Sequence, residues 1–180
     1  MARFSQPKGH EYFIEAASMV VKYYKNVEFI FVGDGPLRQI AEEKVKKLNI
    51  ESYCHFLGNR SDVGKILQTF DIFILSSLWE GLPLSLLEAQ YFGIASIVTN
   101  VGGIPEVVKN EYNGLLVPPK DPVKLSQTIL RVLNDYNLRK ELGKNGKKVV
   151  MQRFTIDKMK NCYLNLIYSI FTQNIKKKRK

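Results

Sequence analysis

Strand-length apolar runs alternate with amphipathic stretches of helical period along most of the chain, with a turn signal between neighbours. That alternation is the sequence mark of βα units winding a parallel sheet, and it excludes all-helical and all-β architectures. Residues 10–24 place Phe13, Ile14, Ala17, Val20, Val21 and Tyr24 at spacings of three and four, which predicts a helix with one apolar face. Residues 27–32 read as a strand stopped by Gly33-Asp34-Gly35-Pro36, and Pro36 sits where the first turn of a helix running to about Leu48 tolerates it. A strand at 53–57, a short helix at 62–70 and a strand at 72–75 follow. The last of these is apolar at every position, as a strand buried on both faces requires. A helix at 83–92 leads to a strand at 95–99, a helical turn at 104–108 and a strand at 114–117. From Asp121 onward the pattern is helical, over 122–134, 137–153 and 157–171. The expected fold is α/β, a Rossmann-like doubly wound parallel sheet of about six strands with extra C-terminal helices.

One end of this pattern is short. Only Met1-Ala2-Arg3-Phe4 precedes the turn at 5–9, where a doubly wound sheet opens with a complete strand. The expectation is five full strands and a stub, in a chain that is a piece of a longer protein or the product of a shortened reading frame. With 180 residues, 45% of them hydrophobic, whole-chain disorder is excluded and one domain is accounted for, at 1–171, followed by a basic tail at 172–180. That length is short for an enzyme of two full lobes.

The net charge is +10, and the terminal run Lys176 to Lys180 supplies five of those charges. A mildly basic body suits an anionic ligand, while the tail suits anionic lipid, nucleic acid or solubility alone. The body shows no interleaved aromatic and basic surface, so nucleic acid is not expected as a partner. Cys54 and Cys162 have no metal-ligand spacing and no disulfide framework; both read as small core residues in a reducing compartment. No apolar stretch reaches the roughly 18–20 residues that span a bilayer, and residues 1–15 are too polar for a signal peptide, so the expected location is cytoplasmic.

The segment Ser76-Ser77-Leu78-Trp79-Glu80-Gly81-Leu82-Pro83-Leu84-Ser85-Leu86-Leu87-Glu88-Ala89 follows the strand ending at Leu75, at the carboxyl edge where open α/β sheets bind ligands. With Pro83 as first helical residue, the amides near Leu84 and Ser85 are unpaired and attract phosphate. Glu88 lies about 7.5 Å further along the helix, at roughly 1.5 Å per residue, and leans back toward the helix start. A carboxylate there can accept two ribose hydroxyls, and Glu80 lies near the other end of a bound diphosphate. A helix with two solvated glutamates fits the same letters.

These residues resemble the retaining nucleotide-sugar glycosyltransferases of family 4, which have the GT-B fold of two facing Rossmann-like domains. The resemblance rests on the spacing Glu80-x7-Glu88 and on further motifs in family order. These are Arg3-Phe4 with Lys8-Gly9, Val32-Gly33-Asp34-Gly35-Pro36-Leu37-Arg38, Phe56-Leu57-Gly58, residues 71–77, Val101-Gly102-Gly103-Ile104-Pro105-Glu106, and residues 113–119 with Asp121. It covers about residues 2–171 and implies the C-terminal, donor-binding domain.

Carried onto this sequence, the resemblance makes Arg3 and Lys8 the cations that hold the donor diphosphate in place of a metal; no metal or other cofactor is expected. It makes Glu88 the ribose-binding glutamate and Glu80 the one nearest the transferred sugar, helped by the backbone of Gly81, Leu82, Pro83 and Leu84, in which Pro83 alone has no N–H to give. Gly33 and Gly35 bring backbone close to the ligand, and the loop with Arg60, Asp62 and Lys65 falls at the base. Gly33-Asp34-Gly35-Pro36 lacks the third glycine of the dinucleotide fingerprint and is weak evidence by itself. The paired Gly102-Gly103 fit a tight turn as well as a phosphate loop, and His10 and His55 read as structural or surface residues.

The expected reaction is transfer of a sugar from a nucleotide diphosphate sugar to a glycan or lipid-linked acceptor, in polysaccharide, lipopolysaccharide or glycoconjugate synthesis. The implied partners are the donor, an N-terminal GT-B domain that supplies much of the acceptor site, and an anionic membrane at the inner face through the tail. The closing helix carries Tyr163, Leu164, Leu166, Ile167, Tyr168, Ile170 and Phe171, and the resemblance packs it across both domains. The chain alone is expected to bind donor and to transfer little. A non-catalytic nucleotide-binding module and a GT-B nucleotide-sugar epimerase are the alternatives.

Overall fold

A computed structural model describes the backbone of residues 1–177 and the side chains through Phe171; the terminal basic run lies outside the described side chains. Eight helices and five strands are named in chain order: α1 (His10–Tyr23), β1 (Phe29–Phe31), α2 (Arg38–Lys47), β2 (Cys54–Phe56), α3 (Val63–Leu67), β3 (Ile72–Leu75), α4 (Leu84–Tyr91), β4 (Ala95–Thr99), α5 (Ile104–Val107), β5 (Leu115–Val117), α6 (Pro122–Asn134), α7 (Tyr136–Arg153) and α8 (Ile156–Lys177).

Every strand pair is parallel, as the alternation requires. β1 pairs with β2, with Ile30 opposite His55, and β3, β4 and β5 pair in sequence order, with Ile74 opposite Ile97 and Val98 opposite Leu116. The stub at 1–4 is not a regular strand, yet it runs as one beside β1. The Ala2 amide donates to the Val32 carbonyl and the Phe4 amide to the Asp34 carbonyl, both at 3.0 Å. Alternate residues bonding to alternate residues is the spacing of a ladder.

Apolar layers cover both faces, because neighbouring residues of a strand point to opposite sides. On one face α1 and α6 bury Ile14, Val20 and Ile129 against Phe29, Phe31, Ile97 and Leu115. On the other, Leu67, Leu86, Ala89 and Ile104 close over Phe73, Leu75 and Val98. Each Val, Leu, Ile or Phe so buried contributes about 1.5–3 kcal/mol. α6 and α7 begin where the sequence caps them: Asp121 accepts from the Lys124 amide ahead of Pro122, and Asp135 from the Leu138 amide, each at 2.8 Å.

Four expectations change. The strand buried on both faces is β4, with all five residues buried, whereas Ile72 and Ile74 of β3 are only half-buried because no strand covers the edge next to them. Pro36 lies in the turn before α2, which starts at Arg38. The last helix runs past Phe171 to Lys177, since no Gly or Pro stops it, so the segment expected as a tail begins as helix. Of the two cysteines only Cys54 packs against the core, half-buried, where burial first and Glu28 second push its thiol up to about 12, while Cys162 is exposed on α8.

Candidate functional site

The carboxyl ends of β3 and β4 and the turn at 5–9 meet in one corner. Ser76 and Ser77, directly after β3, are buried. The Ser76 hydroxyl lies 3.0 Å from the Gly9 carbonyl, and the Leu78 amide donates to the Pro7 carbonyl at 2.7 Å. At the end of β4 the Thr99 hydroxyl donates to the Ser77 carbonyl at 2.6 Å. The loop after β3 is thereby tied to two other segments before it reaches Glu80.

Glu80 itself is fixed by two donors. Lys8 Nζ and Ser77 Oγ both lie 2.6 Å from its Oε1, and the Glu80 side chain is 7% exposed against 26% for Lys8. A carboxylate that far out of water requires such partners, and removing one member of a buried pair costs several kcal/mol. Lys8 and Glu80, 72 positions apart in sequence, are thus brought into direct contact.

The shape of this corner depends on Gly102 and Gly103. Gly102 has φ +51°, and a Cβ there would fall 1.9 Å from the Glu80 carbonyl oxygen. Gly103 donates its amide to that same carbonyl at 3.1 Å, and a Cβ on it would fall 2.2 Å from the Gly81 carbonyl. The paired glycines are therefore a mould for the Glu80–Gly81 backbone, and only Gly102 needs a left-handed conformation.

α4 starts one residue later than expected. Pro83 is extended, with φ −74° and ψ 107°, and the helix begins at Leu84. The Leu86 amide returns to the Pro83 carbonyl at 3.1 Å, while the amides of Leu84 and Ser85 precede any helical acceptor. Among the described residues no hydrogen bond or ion pair reaches the Glu88 side chain, which lies exposed one turn further on. Trp79, Leu82 and Leu84 point their apolar side chains to solvent around this helix start.

A second group lines a cleft of about 590 Å³ with Arg3, Gly33, Asp34, Gly35, Asn59 and Arg60 in its wall. Gly33 and Gly35 also face another neighbour. A Cβ would fall 2.1 Å from the Ala2 carbonyl and 2.5 Å from the Phe4 carbonyl, so both let the loop lie against residues 1–4. Arg60 is exposed and forked onto Asp62 at 2.8 Å through both nitrogens, and Lys65 is exposed on α3 outside the cleft wall. The Asp34 carboxyl is held below its usual range by the Gly35 amide and then by Arg38. Between the groups, His10 stacks on Phe4 with ring centroids 4.1 Å apart, and burial, then the N-terminal ammonium and Lys8, lower it to about 4.

The structure thus joins Lys8, Glu80 and the segment 81–84 in one corner and Arg3, Gly33, Gly35 and Arg60 in an adjoining cleft, with Glu88 on the helix between sheet and solvent. Ser77, Thr99, Gly102 and Gly103 were not among the expected site residues. The available signal was position: all four directly follow or end the strands β3 and β4.

The profile of the family described as glycosyl transferases group 1 matches residues 1–149. The chain is 33% identical over 174 residues to the UDP-Gal:alpha-D-GlcNAc-diphosphoundecaprenol alpha-1,3-galactosyltransferase of Escherichia coli, covering 93% of this chain and 45% of that protein. It is 34% identical over 172 residues to the GalNAc-alpha-(1->4)-GalNAc-alpha-(1->3)-diNAcBac-PP-undecaprenol alpha-1,4-N-acetyl-D-galactosaminyltransferase of Campylobacter jejuni, covering 94% and 47%. The chain spans about half the length of these curated relatives. The crystal structure of the C-terminal domain of a glycosyl transferase group 1 family protein (LpcC) from Francisella tularensis aligns with TM-score 0.79 and 29% identity over 87% of this chain and 84% of that one. HepE of Anabaena, solved with UDP, aligns with TM-score 0.88 and 23% identity over 94% and 47%, a likeness of fold.

Proposed function

The chain belongs to the glycosyl transferases group 1, with the fold of a GT-B C-terminal domain, and we propose that it is the donor-binding half of a retaining, family 4 transferase. In this reading it holds a nucleotide diphosphate sugar whose sugar passes to a glycan or lipid-linked acceptor. The observation that carries the proposal is the Glu80 corner: a nearly buried carboxylate tied to Lys8 and Ser77, beside the unpaired amides that open α4.

Departure of a nucleoside diphosphate builds negative charge, and fixed donors stabilise it more than mobile water does. The amides of Leu84 and Ser85, with the positive end of the α4 dipole, receive one phosphate. Lys8 and Arg3 supply the cationic charge, so the chemistry needs no metal. Glu80 holds the hydroxyls of the transferred sugar through the oxygen that Lys8 and Ser77 leave unbonded. The Glu88 side chain, without a protein partner, takes the two ribose hydroxyls, and the cleft with Gly33, Gly35 and Arg60 receives the base, with Lys65 on α3 beyond the cleft wall.

The acceptor and the rest of the catalytic groups come from a facing N-terminal lobe, so residues 1–171 alone bind donor and turn over little. Relatives named for UDP-linked galactose transfer and for undecaprenol-diphosphate-linked acceptors support a UDP-sugar donor and a lipid-linked acceptor in polysaccharide assembly. No described helix is long and apolar enough to cross a membrane. A cytoplasmic protein resting on anionic lipid through Lys176 to Lys180 fits that reaction, since each such charge near a membrane is worth roughly 1 kcal/mol.

Calorimetric titration of UDP-, GDP- and ADP-sugars tests the proposal. One nucleotide class should bind, and Glu88→Gln should weaken it tenfold to a hundredfold, about 1.5–3 kcal/mol for a charged acceptor. Binding unaffected by Glu88→Gln, or no binding by the folded chain, would contradict it.

A further inference from the structure

α4 and α7 form one continuous side of the molecule, because glycines let them touch. A Cβ on Gly143 would fall 2.0 Å from the Gly93 carbonyl just after α4, and one on Gly146 would fall 3.1 Å from the Gln90 side chain. α7 turns Leu142, Gly143, Gly146 and Val150 to the core. Its opposite side carries Lys140, Lys144, Lys147 and Lys148, all exposed. At about 3.6 residues per turn their spacing places them within about 100° of arc, in a stripe roughly 12 Å long.

The charge of this stripe is not neutralised within the chain. Arg38 meets Asp34 and Glu42, Lys44 meets Glu15 and Arg131 meets Glu111, whereas among the described residues no ion pair reaches any of the four lysines. Glu141 is the one acidic residue of α7 and stands at the edge of the stripe. Aromatic side chains border it. Lys147 Nζ lies 5.9 Å from the Tyr91 ring centroid, with Phe92 edge-on to Tyr91 at 5.4 Å, and Lys140 Nζ lies 5.4 Å from the Tyr136 ring centroid. Tyr91, Phe92 and Tyr136 are exposed, and so is Met151, one turn beyond Lys147. Basic and aromatic groups therefore do meet on the body of the chain, although the rings come from two helices and no single stretch of sequence shows it.

We propose that this α4–α7 side lies against an anionic lipid surface, with the four lysines on the headgroup phosphates and the aromatic edges at headgroup level. A cluster of four lysines on one helix face is the pattern that anionic bilayers attract. The apolar side of α7 is occupied by the core, so the helix rests on the lipid and does not insert. Other occupants lack a match. Lysine is depleted at protein–protein interfaces, and here it forms the centre of the surface. Single-stranded nucleic acid stacks its bases on open ring faces, and ammonium groups already sit over Tyr91 and Tyr136. A lone small anion engages one or two of the lysines and leaves the rest of a roughly 12 Å row unanswered. The proposal does not rest on the donor-site reading, and it names a surface separate from the terminal run 176–180.

The test is sedimentation of the full chain with vesicles of phosphatidylglycerol and phosphatidylcholine in equal parts, and with vesicles of phosphatidylcholine alone. Only the anionic vesicles should bind the chain, and less so as salt is raised. Lys144→Gln together with Lys148→Gln should lower binding about twenty- to thirtyfold, roughly fivefold for each charge at about 1 kcal/mol, with the melting temperature unchanged. Lys46→Gln together with Lys47→Gln, in the last turn of α2, removes the same charge elsewhere and should lower binding about twofold at most. Nucleotide-sugar binding, read by calorimetry, should be the same in both pairs, so that a failure here leaves the donor reading standing. Equal losses from the two pairs overturn the proposal, as does binding that is lost when 176–180 are replaced by glutamine and kept when the stripe is. No binding of the unaltered chain to the anionic vesicles also overturns it. So does a short single-stranded oligonucleotide that binds more tightly than the vesicles at the same salt and needs the same two lysines.

Discussion

β4 and Ile30 stand for two regions that the same pattern builds differently. β4 has a strand on each side, a covered layer above and below, and the polar corner of Thr99, Ser77 and Glu80 at its carboxyl end. The strand β1 has β2 along one side and only residues 1–4, at its carboxyl end, on the other, and below them the molecule opens into a cavity of about 500 Å³. The lesson is that precise polar geometry sits where the apolar frame is complete. A carboxylate can be held nearly out of water only when the backbone around it cannot shift.

That contrast can be broken by substitution. The largest effect should come from Gly102→Ala, which puts a Cβ against the Glu80 carbonyl in a left-handed backbone. We expect a loss of about 2–4 kcal/mol in urea unfolding and no measurable donor binding. Next, Ile97→Ala on β4 should cost about 2–5 kcal/mol and Ile30→Ala at the open edge about 1 kcal/mol or less, because a half-buried side chain leaves little new cavity. Equal costs would mean that the two regions are equally packed, and the comparison would fail.

Smaller effects sharpen it. Ser77→Ala leaves Lys8 as the sole donor to Glu80 Oε1 and should cost about 1–2 kcal/mol of stability, with donor binding weakened, as calorimetry would read. A pH effect at His10, on the residue that joins the two regions, probes it from another side. Its folded value, about 4, lies below the unfolded 6.5, so the unfolded chain takes up the proton first. Stability is full above about pH 6.5 and declines as pH falls toward 4; His10→Phe should flatten that decline in unfolding curves taken across the window.

Legibility in the sequence followed the same division. Local signals were sufficient for the helices and for β3 and β4, because period and turn chemistry are written in neighbouring residues: 72–75, 95–99 and 122–134 have the bounds expected of them. The exposure of Ile72 and Ile74 was not legible, since an apolar run does not say whether a strand lies beside it. Cys162 misled for a related reason, as an apolar helix in sequence does not say whether another element packs on it, and Cys162 is exposed on α8. At the candidate site, Lys8 and Glu80 were named separately, but their contact spans 72 positions and follows only from the crossing of the 5–9 turn with the end of β3. Gly102 and Gly103 were visible as a turn, while their true neighbour, the Glu80–Gly81 backbone, is a matter of tertiary packing.

The most direct test of the central claim is a map of backbone amide shifts by NMR during titration of UDP into the folded chain. The account predicts the largest changes at Gly81, Leu84 and Ser85, with Gly33 and Gly35 and the cleft loop near Arg60 following in the same titration. Shifts confined to other surfaces, or none at millimolar nucleotide, would contradict it.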